Sequence, residues 1–138
     1  MVRSVFVDTS GWYALIDRRD TDHARTVALV GRLVRGGVRL VSTDYVIDES
    51  CTLAKARSGS TTAYKLLALL EKTKALDIEW IGSERFGRAK DLFRKYHDQA
   101  ISFTDCTSFA VMRELDLNEA ITKDAHFRIV GFSVLPES

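Results

Sequence analysis

Short apolar runs without polar alternation recur along the chain and predict strands that are buried on both faces. The clearest run is Ser4–Val7, which is rich in β-branched residues and is followed at once by an aspartate. Weaker runs of the same kind occupy residues 38–41, 78–81, 120–122 and 132–135. Such runs are typical of the strands of a parallel sheet.

Helical periodicity fills the intervals between these runs, over residues 22–35, 43–57, 60–75, 84–97 and 104–116. Gly36 and Gly37 are suited to ending the first of these helices, and Thr43 and Ser83 are residue types that cap helix N-termini. Alternating strands and helices imply βαβ units with right-handed crossovers. We therefore expect an α/β protein of three layers, α/β/α, with a mostly parallel central sheet of four or five strands.

Composition and length narrow the class of protein. With 138 residues, 46% hydrophobic, 28% charged and a single proline, the chain suits one globular domain over residues 1–138. The formal net charge of +1 supplies no overall field for a polyanion, so nucleic acid would need a local basic patch. The first apolar run is too short for a signal peptide and no run is long enough to span a membrane, so we expect a cytoplasmic protein. Cys51 and Cys106 are isolated, which predicts small buried hydrophobic residues and not a thiolate metal site.

Four carboxylates, Asp8, Glu49, Asp105 and Asp124, each follow an apolar run or lie on the apolar face of a predicted helix. Parallel strands have their carboxyl ends along one edge of the sheet, where open α/β proteins bind ligands. Two bare charges about 4 Å apart repel each other by roughly 4 kcal/mol at an effective dielectric constant of about 20. Convergence of these acids therefore predicts a divalent cation among them.

Each acid also has a purely structural interpretation. Asp8 suits a turn or the N-cap of a helix that begins near Gly11, and Asp124 suits the N-cap of a short helical turn. Ser102 and Asp105 have the spacing of a capping box. For single residues these interpretations compete evenly with a functional one.

Glu49 is the most informative of the four acids, because helical geometry surrounds it with apolar neighbours. The residues within about 60° of it on the helix surface are Tyr45, Val46, Leu53 and Ala56. A glutamate in this position is expected to be partly desolvated, and desolvated acids are usually paired. A salt bridge with one of the 20 basic residues is the structural alternative.

Four short segments carry a family resemblance. Residues 6–10 (FVDTS), 46–49 (VIDE), 102–106 (SFTDC) and 121–127 (ITKDAHF) resemble, in order and spacing, the acidic motifs of PIN-domain ribonucleases, particularly the VapC-like toxins of toxin-antitoxin pairs. The resemblance implies a PIN-like fold and an endoribonuclease that uses Mg²⁺ or Mn²⁺. It also implies a homodimer and a small antitoxin partner.

The resemblance assigns the metal-binding and catalytic role to the acids at positions 8, 49, 105 and 124, with the hydroxyls of Thr9, Ser10 or Thr104 in support. Carboxylate oxygens are hard ligands that suit Mg²⁺ and Mn²⁺ better than zinc. We expect Asp8 and Asp105 to hold the principal metal, with Glu49 and Asp124 completing the site directly or through water. Water attack on the phosphodiester would leave a 5′-phosphate on the product.

The sequence indicates the residues that contact substrate or partners less clearly than it indicates the four acids. Basic residues near the predicted acid cluster could neutralise RNA phosphates, although a solvated surface role is the alternative for each: Arg18, Arg19, Lys55, Arg57, Lys123 and Arg128. Aromatic residues that could stack on bases, with a core role favoured, are Trp12, Tyr13 and Phe127. His126 could bind phosphate or merely extend its turn, and no catalytic histidine is assigned. The leucine-rich residues 61–76 could form part of an antitoxin groove or simply pack in the core.

Other functions remain open. A phosphatase of the haloacid dehalogenase type needs a second aspartate at the position of Ser10, and a response regulator needs an adjacent acidic pair after the first strand; neither is present. A non-catalytic PIN-like module that binds RNA or protein is the alternative from another class.

Overall fold

The computed structural model describes residues 2–137 and contains one parallel sheet of five strands in the order β3-β2-β1-β4-β5. Every strand pairing is parallel. The strands are β1 (Ser4–Val7), β2 (Arg39–Thr43), β3 (Leu76–Glu79), β4 (Glu119–Ile121) and β5 (Ser133–Leu135).

Helices connect the strands within the described range. They are α1 (Thr9–Ile16), α2 (His23–Arg35), α3 (Asp44–Ser58), α4 (Ser60–Lys72), α5 (Gly82–Lys95), α6 (Phe103–Glu114) and α7 (His126–Ile129). The three-layer α/β prediction is confirmed, because consecutive residues of β1 point to opposite faces of the sheet and yet Val5, Phe6 and Val7 are all fully buried.

The chain reverses its direction of travel across the sheet beside β1. It runs outward from β1 through β2 to β3, and then returns to place β4 on the other side of β1. The crevice at the carboxyl ends of β1 and β4 is therefore the topological switch point, which is where open α/β sheets bind ligands.

Gly11 allows α1 to start close to the end of β4. A Cβ atom at this position would overlap the carbonyl oxygen of Ile121. The same approach brings the backbone N–H of Asp8 within 3.1 Å of the Ile121 oxygen, to which it donates a hydrogen bond. The first turn of α1 and the segment after β4 thus share one edge of the sheet.

The third strand lies two residues earlier than predicted, at Leu76–Glu79 in place of 78–81. The backbone N–H of Ile81 donates to the Asp44 carboxylate (2.9 Å) and so is not available to extend the strand. Two guanidinium–carboxylate bonds between Arg39 and Asp77, 2.7 and 2.9 Å long, bridge β2 and β3 in the observed register.

One predicted helix cap is confirmed, and two other predicted helix starts are wrong. Thr43 caps α3, since its side chain accepts a hydrogen bond from the Val46 N–H. Ser83 is not a cap, because α5 already begins at Gly82. Helix α1 begins directly after Asp8, earlier than the start near Gly11 that the sequence suggested.

The leucine-rich segment is mainly a core element. Leu66 and Leu70 of α4 are buried, whereas Tyr64 and Leu67 are exposed. Cys106 is buried and Cys51 half-buried, both as free thiols, and burial raises the pKa of Cys106 to about 11. No helix within residues 2–137 has the length and apolar content needed to cross a membrane.

Candidate metal centre

A pocket of about 400 Å³ opens at the switch point, and all four predicted acids line it. Asp8 follows β1, Glu49 lies in α3, Asp105 begins α6 and Asp124 follows β4. The other lining residues are Thr9, Ser10, Tyr13, Asp20, Leu53, Arg57, Ser102 and Lys123. Acids that are far apart in sequence thus converge on one concave surface.

Asp8 is the most deeply buried acid, with 4% of its surface exposed. Its Oδ2 accepts a hydrogen bond from the Thr122 hydroxyl (2.9 Å), but its buried Oδ1 has no partner within residues 2–137. Desolvation raises the pKa of Asp8 to about 6 against the lowering effects of the Thr9 backbone N–H and the Thr122 hydroxyl, and the charges of Glu49 and Asp124 add smaller increases. A buried carboxylate oxygen without a donor is costly, and a cation would remove that cost.

Asp105 takes part in the N-terminal cap of α6 and also lines the pocket. The predicted capping box is confirmed: its N–H donates to the Ser102 hydroxyl (3.0 Å), and its Oδ2 accepts from the Ser102 N–H (3.3 Å). Desolvation and then the negative charges of Asp8 and Asp124 raise the pKa of Asp105 to about 7. Capping and function are compatible because a carboxylate has several acceptor positions.

Glu49 corrects one prediction. Its side chain is exposed and not desolvated, because the face of α3 that packs inward is formed by Val46, Ser50 and Ala54. Its Oε1 accepts a hydrogen bond from the hydroxyl of Thr9 (2.6 Å), and within the described part of the chain it forms no ion pair. Glu49 therefore borders the mouth of the pocket, and the salt-bridge alternative does not apply.

Asp124 is half-buried and holds the turn that leads into α7. Its Oδ1 accepts from both the backbone N–H (2.9 Å) and the ring Nδ1 (2.7 Å) of His126. The predicted N-cap role is displaced by one residue, because Ala125 occupies the cap position. One potential ligand atom each from Asp105, Asp124 and His126 lie within 4.8 Å of one another.

Thr122 and Ser10 link these acids and were only partly expected from the sequence. The Thr122 hydroxyl accepts from the Asp124 N–H (3.0 Å) while it donates to Asp8, and it lies 3.1 Å from the Ser10 hydroxyl. Ser10 in turn accepts from the Lys123 N–H (2.8 Å). Thr122 directly follows β4, just as Asp8 directly follows β1. A search for polar residues at the ends of strands, which identified Asp8, could therefore also have identified Thr122.

Thr104 carries the third hydroxyl that the sequence predicted to support the acids, but its surroundings differ from those of Thr9 and Ser10. Thr104 lines a neighbouring pocket that Glu49 also borders. Across residues 2–137 its hydroxyl has no hydrogen bond to any of the four acids.

Basic residues reach the pocket in two places. Arg57 lines it and lies 5.5 Å from the ring centre of Tyr13. Lys123 lines it as well, and its ammonium group is paired with Asp20 (2.5 Å) and Asp22 (3.3 Å). Asp20 was missed from the sequence because its position depends on this pairing. Arg128 is exposed and is not among the residues that line the pocket.

The aromatic candidates are core residues. Trp12 and Phe127 are fully buried, and the Trp12 indole N–H donates to the Ser42 hydroxyl (3.1 Å). Tyr13 is buried too, although one side of it lines the pocket, and its hydroxyl donates to Asp17 (2.7 Å). The favoured core role is therefore the observed one for Trp12 and Phe127.

The donors around the pocket fit a hard divalent cation. They are carboxylate oxygens, and the most buried of them is unpartnered. Burial, and then the negative charges of neighbouring acids, raise the pKa values of Asp8 and Asp105, and a shared cation relieves this kind of repulsion.

Comparison with known proteins agrees with this geometry. The family model described as "PIN domain" matches residues 5–133. The chain is 32% identical over 135 residues to the 23S rRNA-specific endonuclease VapC20 of Mycobacterium tuberculosis, and the match covers 96% of this chain and 99% of VapC20.

Solved structures lead to the same family. The crystal structure of M. tuberculosis VapC20, described as a sarcin-ricin loop cleaving toxin, matches with a TM-score of 0.81 and 28% identity over 93% of this chain and 95% of that one. FitAcB from Neisseria gonorrhoeae matches with a TM-score of 0.65 over 94% and 95% of the two chains, and at 16% identity this likeness shows the fold alone. The chain belongs to the PIN-domain family and is a homologue of the VapC endoribonuclease toxins.

Proposed function

We propose that this protein is an endoribonuclease that needs Mg²⁺ or Mn²⁺ and acts as the toxin of a toxin-antitoxin pair. One observation carries the proposal: Asp8, Glu49, Asp105 and Asp124 line one pocket, and the Oδ1 of Asp8 is buried there without a hydrogen-bond donor. Structural acids of a stable core would each have a donor or a basic partner. In addition to the larger effect of burial, the charges of Glu49 and Asp124 raise the pKa of Asp8, and those of Asp8 and Asp124 raise the pKa of Asp105, as expected of a cation site.

Each acid has a proposed role that follows from its surroundings. Asp8 and Asp105 are held rigidly, by Thr122 and Ser102 respectively, and are the principal metal ligands. Glu49 and Asp124 complete the site from its exposed side. The bound ion would supply Lewis-acid activation of water and stabilisation of the leaving oxygen, so that hydrolysis leaves a 5′-phosphate.

The hydroxyls support the acids. Thr9 orients Glu49 through its 2.6 Å bond, and Ser10 holds Thr122 and the backbone of Lys123. Thr104 lies beside Glu49 in the adjoining pocket, where it can contact substrate. Ser10 also bears on the phosphatase alternative, because its hydroxyl occupies the place where that mechanism needs a second aspartate.

RNA is the proposed substrate, and the basic residues at the pocket provide its phosphate contacts. Lys123 and Arg57 lie at the rim, and Arg128 is exposed on the nearby short helix α7. Because the net charge is only +1, binding depends on these local contacts and not on a general field. The activity named for VapC20 makes 23S rRNA the first substrate to test.

Partners are proposed on the same basis. VapC20 is described as a toxin, and we propose a cognate antitoxin for this chain as well. Tyr64 and Leu67 on α4 remain 65% and 40% exposed, and this apolar surface would contact such a partner. We also propose a homodimer and a cytoplasmic location, where ribosomal RNA is available.

The test uses the purified full chain with end-labelled RNA. Cleavage should require added Mg²⁺ or Mn²⁺, stop with chelator, and fall by at least about 100-fold in Asp8→Asn and Asp105→Asn. Asp91→Asn is the matched control, because Asp91 is an exposed acid outside the pocket. Full activity in both site variants would refute the assignment. RNA binding without turnover in the presence of metal would favour the non-catalytic module.

A further inference from the structure

His126 is the one histidine beside the acids, and its position is well defined. Its Nδ1 lies 2.7 Å from Oδ1 of Asp124, and its backbone N–H binds the same oxygen at 2.9 Å. About a quarter of the ring side chain is exposed. The ring is thus held against a carboxylate of the pocket without being sealed in the core.

The donor atoms lie close enough together to reach a single metal ion after small shifts. Asp105, Asp124 and His126 each offer one atom, and these atoms lie within 4.8 Å of one another. Adjacent ligands on an octahedral ion with bonds of about 2.1 Å are about 3.0 Å apart, and opposite ligands about 4.2 Å. The 2.7 Å hydrogen bond between Nδ1 and Oδ1 would lengthen slightly to reach the shorter of these distances.

A second observation points to a ligand in the pocket that Asp105 and Asp124 line; His126 approaches this pocket through Asp124 and is not itself among the lining residues. Asp8 lines the same pocket as Asp105 and Asp124, is 96% buried, and has an Oδ1 atom with no donor within residues 2–137. The hydrogen bond between His126 and Asp124 leaves that atom unsatisfied. A cation in the pocket would satisfy it.

We propose that His126 is a metal ligand, which binds through Nδ1 together with Asp105 and Asp124 and gives the site a preference for Mn²⁺ over Mg²⁺. This inference rests on the proposed function and adds a nitrogen donor to its carboxylate site. Metal binding through Nδ1 would release to solvent the proton that His126 shares with Asp124. Imidazole nitrogen suits transition metals, whereas Mg²⁺ strongly prefers oxygen.

The decisive measurement is pulsed EPR on the Mn²⁺-loaded full chain. Coupling of Mn²⁺ to a histidine nitrogen is expected, and it should change when the protein is labelled with ¹⁵N-histidine. The chain has three histidines, all within residues 2–137, and among them only His126 offers a ligand atom close to those of Asp105 and Asp124. Absence of nitrogen coupling in the wild-type protein would overturn the proposal without the need for any variant.

Variants then identify the histidine. His126→Gln should abolish the coupling and weaken Mn²⁺ binding at least about tenfold, while Mg²⁺ binding changes little. His97→Gln is the matched control, because His97 is exposed at the end of α5 and should leave both unchanged. Coupling that persists in His126→Gln would also overturn the proposal.

The two hypotheses fail in different ways. RNA cleavage without histidine coupling would reject the ligand role of His126 and leave the nuclease function intact. Histidine coupling without cleavage of RNA would support the ligand role and reject the nuclease function.

Discussion

The Thr122 hydroxyl donates a hydrogen bond of 2.9 Å to the Asp8 carboxylate, and this contact joins the end of β4 to the end of β1. The same hydroxyl accepts from the Asp124 N–H at 3.0 Å. One threonine therefore fixes the position of a buried acid and of the turn that carries a second acid. The geometry of the pocket depends on this junction at the switch point of the sheet.

Loss of the Thr122 hydroxyl should weaken the site more than the fold. Thr122→Val keeps the shape but leaves both Asp8 oxygens without a side-chain donor, at a cost of about 1–3 kcal/mol in unfolding free energy. We expect metal affinity and RNA cleavage to fall together. Denaturant unfolding and metal titration measure the two effects.

Thr73→Val is the control for that experiment, because the Thr73 hydroxyl donates only to a local helix carbonyl, that of Leu69. It should lower stability slightly and leave metal affinity unchanged. Equal loss of metal affinity in both variants would mean that the threonine at β4 has no special role.

The metal-free protein should lose stability as the pH rises from about 4 to about 7. Asp8 has a folded-state pKa of about 6, above its ordinary value of 3.8, so the native state binds more protons than the unfolded state in this range. The stabilising contribution is complete below pH 3.8 and is lost as the pH passes 6. The upper limit for Asp8 alone is about 3 kcal/mol.

Thermal unfolding of chelated protein across this pH range tests the prediction, and Asp8→Asn should reduce the slope, with the remainder coming from the raised pKa of Asp105. Added Mn²⁺ should restore stability most strongly near neutral pH, where the carboxylates are ionised. A rise in metal-free stability between pH 4 and pH 7 would contradict the assigned direction.

Glycine at position 11 is required by close packing. In Gly11→Ala the new methyl group would overlap the Ile121 carbonyl, and the forced shift of α1 should cost about 1–3 kcal/mol and disturb the pocket. Gly87→Ala is the matched control, since α5 has open space at that position and should gain about 0.5–1 kcal/mol. Chemical denaturation of both variants distinguishes them, and similar effects of the two substitutions would be inconsistent with the packing argument.

Substitution of Lys123 should weaken the affinity for RNA and leave the affinity for metal unchanged. If Lys123 neutralises one phosphate, Lys123→Ala should raise KM for RNA and reduce the slope of log affinity against log salt by about 0.7. Lys90→Ala controls for loss of a positive charge outside the pocket, where Lys90 lies over the Phe86 ring. An unchanged salt slope would exclude a phosphate contact by Lys123.

Much of this protein was readable from local patterns. The strand Ser4–Val7, the cap at Thr43 and the capping box between Ser102 and Asp105 were all predicted, because each depends on residues only a few positions apart. The acidic motifs were recognisable for the same reason, and their order along the chain indicated the family.

The features that were missed depend on residues far apart in sequence. The register of β3 is set by its pairing with β2, more than 30 residues earlier in the chain, and Glu49 is exposed because other residues of α3 pack inward. Asp8 and Thr122 are separated by 114 positions, so no local periodicity could have paired them. Hydrophobic patterning specifies which face of an element is buried, but the atoms that meet across a crevice are selected by how the elements pack together.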